Sequence, residues 1–258
     1  MAEALRKIDR LDVAPRFTAA DAIRLNSRFR DATTQEVLQA VLREHLLGKI
    51  ALVSSFGAEA ATLLHLVASV DASVPVLFLD TGRHFPETLD YRDELAARLR
   101  LRDLRNLQPD PQVIAARDAS ELRWSFDPDG CCEIRKVVPL ASALVGFDAT
   151  ITGRKSFQAN TRNALARFEV DPSDDIGRMK FNPLADWTKA ELDAYFARHN
   201  LPQHPLVEQG YASIGCAPCT SIVKPGEDPR AGRWRGWNKT ECGIHTPAKD
   251  DDPDQPVF

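Results

Sequence analysis

Apolar residues fall along this chain in two alternating patterns, one with helical spacing and one of short unbroken runs. In TTQEVLQAVLREHLLG, Val37, Leu38, Val41, Leu42 and Leu46 recur on one helical face, and Gly48 marks a stop. KIALVSS follows as a short apolar run, predicted to be a buried strand ending in small polar residues. GAEAATLLHLVASV returns to helix, and VPVLFLDTG is a second buried strand, ending at Asp80. PETLDYRDELAARLRL is helical, with Pro86 suited to its first turn. LRDLRNLQP is a third, more polar strand, with a short helix after it near Val113 to Ala116. CCEIRKVVPLASALV reads as mainly helical, with Pro139 placed to kink it. ATITG is a strand stopping at Gly153, and KFNPLADW is a weaker one. TKAELDAYFARHN opens on a capping box, Thr188 with Glu191, and closes near Asn200.

Short buried strands alternating with amphipathic helices predict an α/β fold, a Rossmann-like mainly parallel sheet with flanking helices. No internal repeat interrupts the pattern. After about Thr220 it fades into Pro, Gly and charge. The expected division is an α/β domain over residues 1–225 and a mobile C-terminal segment over 226–258, ending in the acidic KDDDPDQPVF.

Composition narrows the function classes. The chain has 258 residues, 43% hydrophobic and 27% charged, enough for one large domain or a domain with an appendage. A net charge of -4 argues against a general nucleic-acid or membrane-surface binder. No apolar stretch approaches the ~18 residues of a membrane span. MAEALRKIDRLDVAPRF is studded with charge and lacks the apolar centre of an export signal. The expectation is a soluble cytoplasmic protein, in which clustered cysteines point to metal binding or redox chemistry rather than disulfides.

Ligands of an open α/β sheet sit beyond the C-terminal strand ends. VSSFGAEA places Ser54, Ser55 and Gly57 between a strand and a helix N-terminus, where free N–H groups favour an anion. LDTGRHFPET ends a strand at Asp80 and sets Arg83 after a tight turn. Each also has a plain structural explanation: a serine cap, a turn glycine, a helix-capping Asp, a surface Arg. Neither a Walker loop nor a G-x-G-x-x-G fingerprint is present. ITGRKSFQANTR adds Arg154, Lys155 and Arg162 after a strand end. DPRAGRWRGW interleaves Arg230, Arg233 and Arg235 with Trp234 and Trp237. In an acidic chain, such a cluster suits a small anionic ligand better than a long polyanion.

The five cysteines divide as four plus one. Cys131 and Cys132 are adjacent, and Cys216 and Cys219 stand in C-x-x-C spacing. Four thiolates in two pairs can close around zinc or an iron–sulfur cluster. Zinc pairs usually come from C-x₂₋₄-C knuckles, whereas adjacent sulfurs diverge and suit the separate iron corners of a cube. That spacing favours 4Fe–4S over zinc; buried free thiols, or a redox pair at Cys216 and Cys219, remain the alternatives. Cys242, in KTECGIH, lies on a weakly structured stretch that could deliver a thiol to a site and then expose it. His245 and the upstream arginines would favour its thiolate and Glu241 would oppose it; an incidental surface thiol is the alternative. His65 falls on an apolar helix and is expected in the core. His84, His199 and His204 fall near turns or helix ends, where solvation is expected.

In order, SSFGAEA, LDTGRHFPET, CCEIRKVVPL, ITGRKSFQANTR, KFNPLADWT, GYASIGCAPCT, GRWRGW and ECGIH resemble the adenylyl-sulfate (APS) reductase branch of the phosphoadenylyl-sulfate (PAPS) reductase family. The resemblance implies an adenine-nucleotide alpha hydrolase-like fold. It implies one 4Fe–4S cluster on Cys131, Cys132, Cys216 and Cys219, with Cys242 as nucleophile. Lys136 matches a lysine between cluster and substrate, and Arg230 and Arg233 match arginines that grip the phosphosulfate. Ser54, Ser55, Phe56 and Gly57, with Asp80, Thr81, Gly82 and Arg83, match the nucleotide pocket; Lys155 and Arg162 belong to a further substrate loop. Where relatives often read G-L-R-R-x-Q-S, this chain reads Gly153-Arg154-Lys155-Ser156-Phe157-Gln158-Ala159, in which Lys155 replaces an arginine and keeps charge without the bidentate fork.

The implied activity is assimilatory reduction of APS to sulfite and AMP, through an S-sulfocysteine on Cys242 resolved by thioredoxin or a similar dithiol protein. PAPS reduction is the nearest rival, although that branch usually lacks both cysteine pairs. A tRNA-thiolating ATP-pyrophosphatase would need an S-G-G-x-D-S loop, which is absent. A plain iron–sulfur electron carrier would leave Cys242 idle. Homo-oligomerisation is left open.

Overall fold

A computed structural model describes residues 14–158, 165–173 and 176–244. The unbroken apolar runs become β1 (Ile50–Ser54) and β2 (Val76–Leu79), and the more polar run becomes β3 (Leu104–Leu107). β4 (Ala149–Ile151), β5 (Phe168–Val170) and β6 (Met179–Phe181) complete one sheet in the order β3-β2-β1-β4-β6-β5. All neighbours pair parallel except the antiparallel β5 and β6. The α/β expectation is borne out. Two boundaries move: β2 stops one residue before Asp80, and only the start of KFNPLADW is strand. β5 and α1 (Ala19–Arg28) answer to no apolar run or repeat of the kind that marks the other elements.

Local chemistry sets the helix ends. α1, α2 (Thr34–Leu42) and α8 (Lys189–Arg198) open on reciprocal capping boxes, Thr18 with Asp21, Thr33 with Glu36 and Thr188 with Glu191. α2 ends six residues before Gly48, because the chain reverses there: His45 takes a φ of 53° and the Leu46 N–H donates to the Ala40 carbonyl at 3.3 Å. Gly48, at a φ of 73°, instead permits close approach, since a Cβ there would run into the Asp148 carboxylate. α3 (Ala60–Val70), α4 (Pro86–Arg98) and α5 (Pro111–Arg117) follow β1, β2 and β3.

The predicted kink at Pro139 takes a specific form. α6 (Pro128–Cys132) passes into a π-helical turn over Glu133–Val137 and then into α7 (Val138–Ala143). Proline has no N–H to donate four residues back, and its ring crowds that carbonyl, so the backbone widens just before it. The widened turn buries three consecutive side chains, Ile134, Arg135 and Lys136. A regular helix with one apolar stripe does not do this.

The main core packs α1, α2, α3 and α8 with one side of the sheet. A smaller cluster, Ala51, Leu77, Leu79, Leu140 and Leu144, lies under α7 and takes Ile244 from the C-terminal segment. His204, expected at the surface, is fully buried, with Nε2 3.0 Å from the Thr88 hydroxyl. Burial lowers its pKa from 6.5 to about 4. A depressed histidine contributes stability above its unfolded pKa that is lost as pH falls toward the folded value. Stability is therefore expected to fall by about 2 kcal/mol through this group between pH 7 and pH 5. His204→Gln, followed by denaturant unfolding at both pH values, should flatten that acid limb; an equally steep loss in the variant would assign it elsewhere.

Candidate active site

The strand order reverses direction at β1: β2 and β3 lie on one side, β4 on the other. A crevice opens beyond the strand ends at such a point, and here it is a cleft of about 230 Å³. Ser54 and Ser55 reach it from β1, and Thr152 to Lys155 from β4. The Ser54 hydroxyl accepts from the Phe56 N–H at 3.1 Å, turning the chain so that α3 starts at the cleft. No side chain caps α3; its first N–H, on Ala60, donates to the Gly57 carbonyl at 3.0 Å, and the positive end of the helix opens at the cleft. Gly57 lets Ile214 lie close, since a Cβ would sit 3.2 Å from the Ile214 carbonyl.

The far wall comes from the C-terminal segment. Arg230, Arg233, Trp234, Glu241 and Cys242 all line the same cleft. Arg230 donates to the Thr240 carbonyl at 2.6 Å within the segment, and the Trp234 N–H ties it back to the Cys219 carbonyl at 3.0 Å. The Arg233 guanidinium lies 4.5 Å from the Trp234 ring centroid, and its Nε is buried without a partner. Gly215 makes room for it, because a Cβ there would overlap the guanidinium. Arg154 pairs with Glu169, and Lys155 with Glu59 at 3.1 Å. Lys155, on the loop after β4, is only 2% exposed.

The four paired cysteines surround a second, small cavity of about 10 Å³ beside the first. Lys136 and Trp234 line both, so they form the partition. Burial pushes the Cys131, Cys132 and Cys219 thiols up to about 11. Burial acts on Cys216 the same way, but the Lys136 ammonium, the Thr81 hydroxyl at 3.3 Å and Arg233 outweigh it and hold this thiol below the ordinary range. Burial would also strip the proton from Lys136; the sulfurs of Cys216, Cys242 and Cys132 outweigh that and keep it charged. Beneath lies a buried ion pair, Arg135 to Asp118 at 2.8 Å, with Arg135 also donating to the Thr81 carbonyl at 2.9 Å. The Nε groups of Arg83 and Arg135, both on side chains lining this cavity, have no acceptor. Among the described residues, no three His, Cys, Asp or Glu side chains are arranged to hold a single metal ion.

The structure thus brings Ser54, Ser55, Gly57, Lys136, Lys155, Arg230, Arg233 and Cys242 to one cleft. Phe56 turns into the core, edge-on to Phe78 at 5.5 Å. Thr81 and Arg83 line the cysteine cavity instead. The Asp80 carboxylate accepts from the Gly82 N–H at 3.1 Å and from Gln108 at 3.0 Å, which shapes the turn. Arg162 and His245 lie outside the described residues. His84, expected to be solvated, instead lines the cleft: Nε2 lies 2.8 Å from the Leu79 carbonyl and Nδ1 is buried without a partner. Burial lowers its pKa and keeps it neutral. Sequence reasoning passed over residues 212–215, whose role is visible only once Gly57 and Arg233 meet them. No helix of the described residues is long and apolar enough to cross a membrane.

Comparison with known proteins agrees with this arrangement. Residues 49–222 match the phosphoadenosine phosphosulfate reductase domain. Adenosine 5'-phosphosulfate reductase of Chelativorans sp. (strain BNC1) is 50% identical over 229 residues, 88% of this chain and 91% of that protein. The protein of the same name from Mesorhizobium japonicum is 45% identical over 241 residues, 93% of each. Among solved structures, phosphoadenylyl-sulfate (PAPS) reductase from Candida auris, a phosphate complex, superposes with a TM-score of 0.66 at 27% identity, covering 80% of this chain and 98% of that one. A reversing parallel sheet, a basic cleft at its switch point and a sequence match across most of the chain converge on one conclusion: this protein belongs to the phosphoadenosine phosphosulfate reductase family.

Proposed function

We propose that the protein reduces adenosine 5'-phosphosulfate to sulfite and AMP, with Cys242 as the nucleophile and a dithiol protein such as thioredoxin as reductant. The observation that carries this reading is that the half-buried Cys242 thiol shares one cleft with the α3 N-terminus, Lys136, Arg230 and Arg233. The names of the closely matching bacterial relatives support APS as the substrate.

The chemistry follows from those groups. The Cys242 thiolate attacks the sulfonate sulfur of APS, forming an S–S bond while the S–O bond to phosphate breaks. AMP departs with the bonding electron pair. Lys136, Arg230 and Arg233 offset the charge that grows on the phosphate oxygen as that bond lengthens. The positive end of α3, which opens at the cleft, favours a nucleotide phosphate there. One thiolate of the dithiol protein then attacks Cys242 Sγ and expels sulfite, and its second thiol closes a disulfide that frees Cys242. The two electrons that reduce the sulfonate come from that dithiol. For the second step the segment carrying Cys242 opens away from the cleft.

Cys131, Cys132, Cys216 and Cys219 would hold one 4Fe–4S cluster. The donor set supports it: four cysteine sulfurs around one small space, with Nε groups of Arg83 and Arg135 that have no acceptor on side chains that line it. When bound, the cluster supplies the iron that keeps these sulfurs as thiolates and concentrates negative charge beside Lys136.

Incubation with ³⁵S-labelled APS and no reductant tests the scheme. A stable label mapped to the Cys242 peptide, released as sulfite by reduced thioredoxin, is the expected result. Label on another residue, or none at all with AMP still formed, would overturn it. Gly215→Ala offers a gentler check: displacing the Arg233 guanidinium weakens one charge-assisted contact, so the KM for APS should rise about tenfold with the fold intact.

A further inference from the structure

The cation assigned to the phosphosulfate already has an anion on it. The Glu241 carboxylate lies 3.3 Å from the Arg230 guanidinium, and both side chains are less than a fifth exposed. The same guanidinium nitrogen donates to the Thr240 carbonyl at 2.6 Å. Arg230 therefore grips the two residues that precede Cys242, and all three of Arg230, Glu241 and Cys242 line the cleft. On the other flank, Ile244 is seated on the small apolar cluster under α7. The nucleophile is held between these two attachments.

We infer that Glu241 is a resident substitute for the substrate's anion: it occupies Arg230 in the empty cleft, latches the Cys242 segment shut, and is displaced when the phosphosulfate arrives. The inference rests on the proposed reaction for the identity of that anion. Glu241 already draws on the N–H donors and the charge of Arg230 that the phosphosulfate needs, so ligand and Glu241 compete. The competition has a use. An unpaired, largely buried arginine next to a nucleophilic thiol would attract any small anion, whereas an internal partner is displaced only by a ligand that also has the nucleotide part of the cleft to bind. The Thr240 carbonyl bond to Arg230 and the Ile244 seat do not depend on Glu241, so the segment can keep Cys242 at the cleft for the first step after the carboxylate is displaced.

The size of the effect is bounded. An ion pair of this partial exposure contributes up to ~1 kcal/mol, which corresponds to about fivefold in an equilibrium. Two readouts on the cluster-loaded enzyme test it. In Glu241→Gln the KM for APS should fall about fivefold, the effect lying on KM rather than kcat. Alkylation of Cys242 by iodoacetamide in the ligand-free enzyme, followed by peptide mass mapping, should speed up by a similar factor. The rate is read on its high-pH plateau, where the thiol is fully ionised, so a change in acidity adds nothing. Glu241→Asp keeps the charge and should stay closer to the parent enzyme in both readouts. An unchanged or raised KM, or an unchanged plateau rate, overturns the inference. If the parent enzyme does not turn over APS at all, the proposed reaction fails, and the alkylation comparison still decides whether Glu241 is a latch.

Discussion

Cys242→Ser should abolish sulfite formation, with a loss on the order of 10³-fold or more, while nucleotide binding survives. A serine hydroxyl stays protonated near neutral pH and is a far weaker nucleophile toward sulfur than a thiolate, so the first S–S bond never forms. The cleft loses one sulfur and keeps its cations: Lys136, Lys155, Arg230 and Arg233 line it independently of residue 242. The decisive comparison is turnover against APS affinity measured by calorimetry on the same cluster-loaded preparation. Turnover lost with affinity within about threefold places Cys242 in the chemistry. Sulfite production near the parent rate would remove it from the mechanism and leave the iron–sulfur electron-carrier reading in its place.

Lys136→Ala should produce the second largest effect, a fall in kcat/KM on the order of 10²-fold or more. Lys136 is buried in the partition between the two cavities and is held charged by the sulfurs of Cys216, Cys242 and Cys132. A charge in a water-poor site aimed at a leaving group can carry several kcal/mol of barrier. Arginine should not restore it, because a planar fork needs a different space from a compact ammonium. Iron content and melting temperature separate catalysis from assembly. If activity drops only in proportion to iron lost, Lys136 supports the cysteine cavity rather than the reaction. If kcat/KM stays within threefold at full iron content, the lysine has no part in charge stabilisation.

Much of the architecture was legible in order along the chain. Buried parallel strands are nearly continuous apolar runs, so β1, β2 and β4 announce themselves. β5 did not, because a three-residue edge strand needs no apolar run and exists only through its pairing with β6. His204 misled for a related reason: a turn position says nothing about what folds over it, and here Tyr91 and Thr88 of α4 do. Lys155, expected on a substrate loop, is buried against Glu59, 96 positions earlier in the chain, a meeting no local pattern records.

The amino-acid sequence determined the alternation of strands and helices, the four-plus-one division of the cysteines and the choice of residue types at each strand end, because all of these depend on spacing within a few residues. Only the tertiary structure decided that Phe56 turns away from the cleft, that Lys155 is buried against Glu59, and that Glu241 already occupies Arg230. The reason is geometric: a crevice at a reversing strand order is made by segments far apart in the chain, and charges acquire their partners and their acidity only when burial brings those segments within a few ångströms.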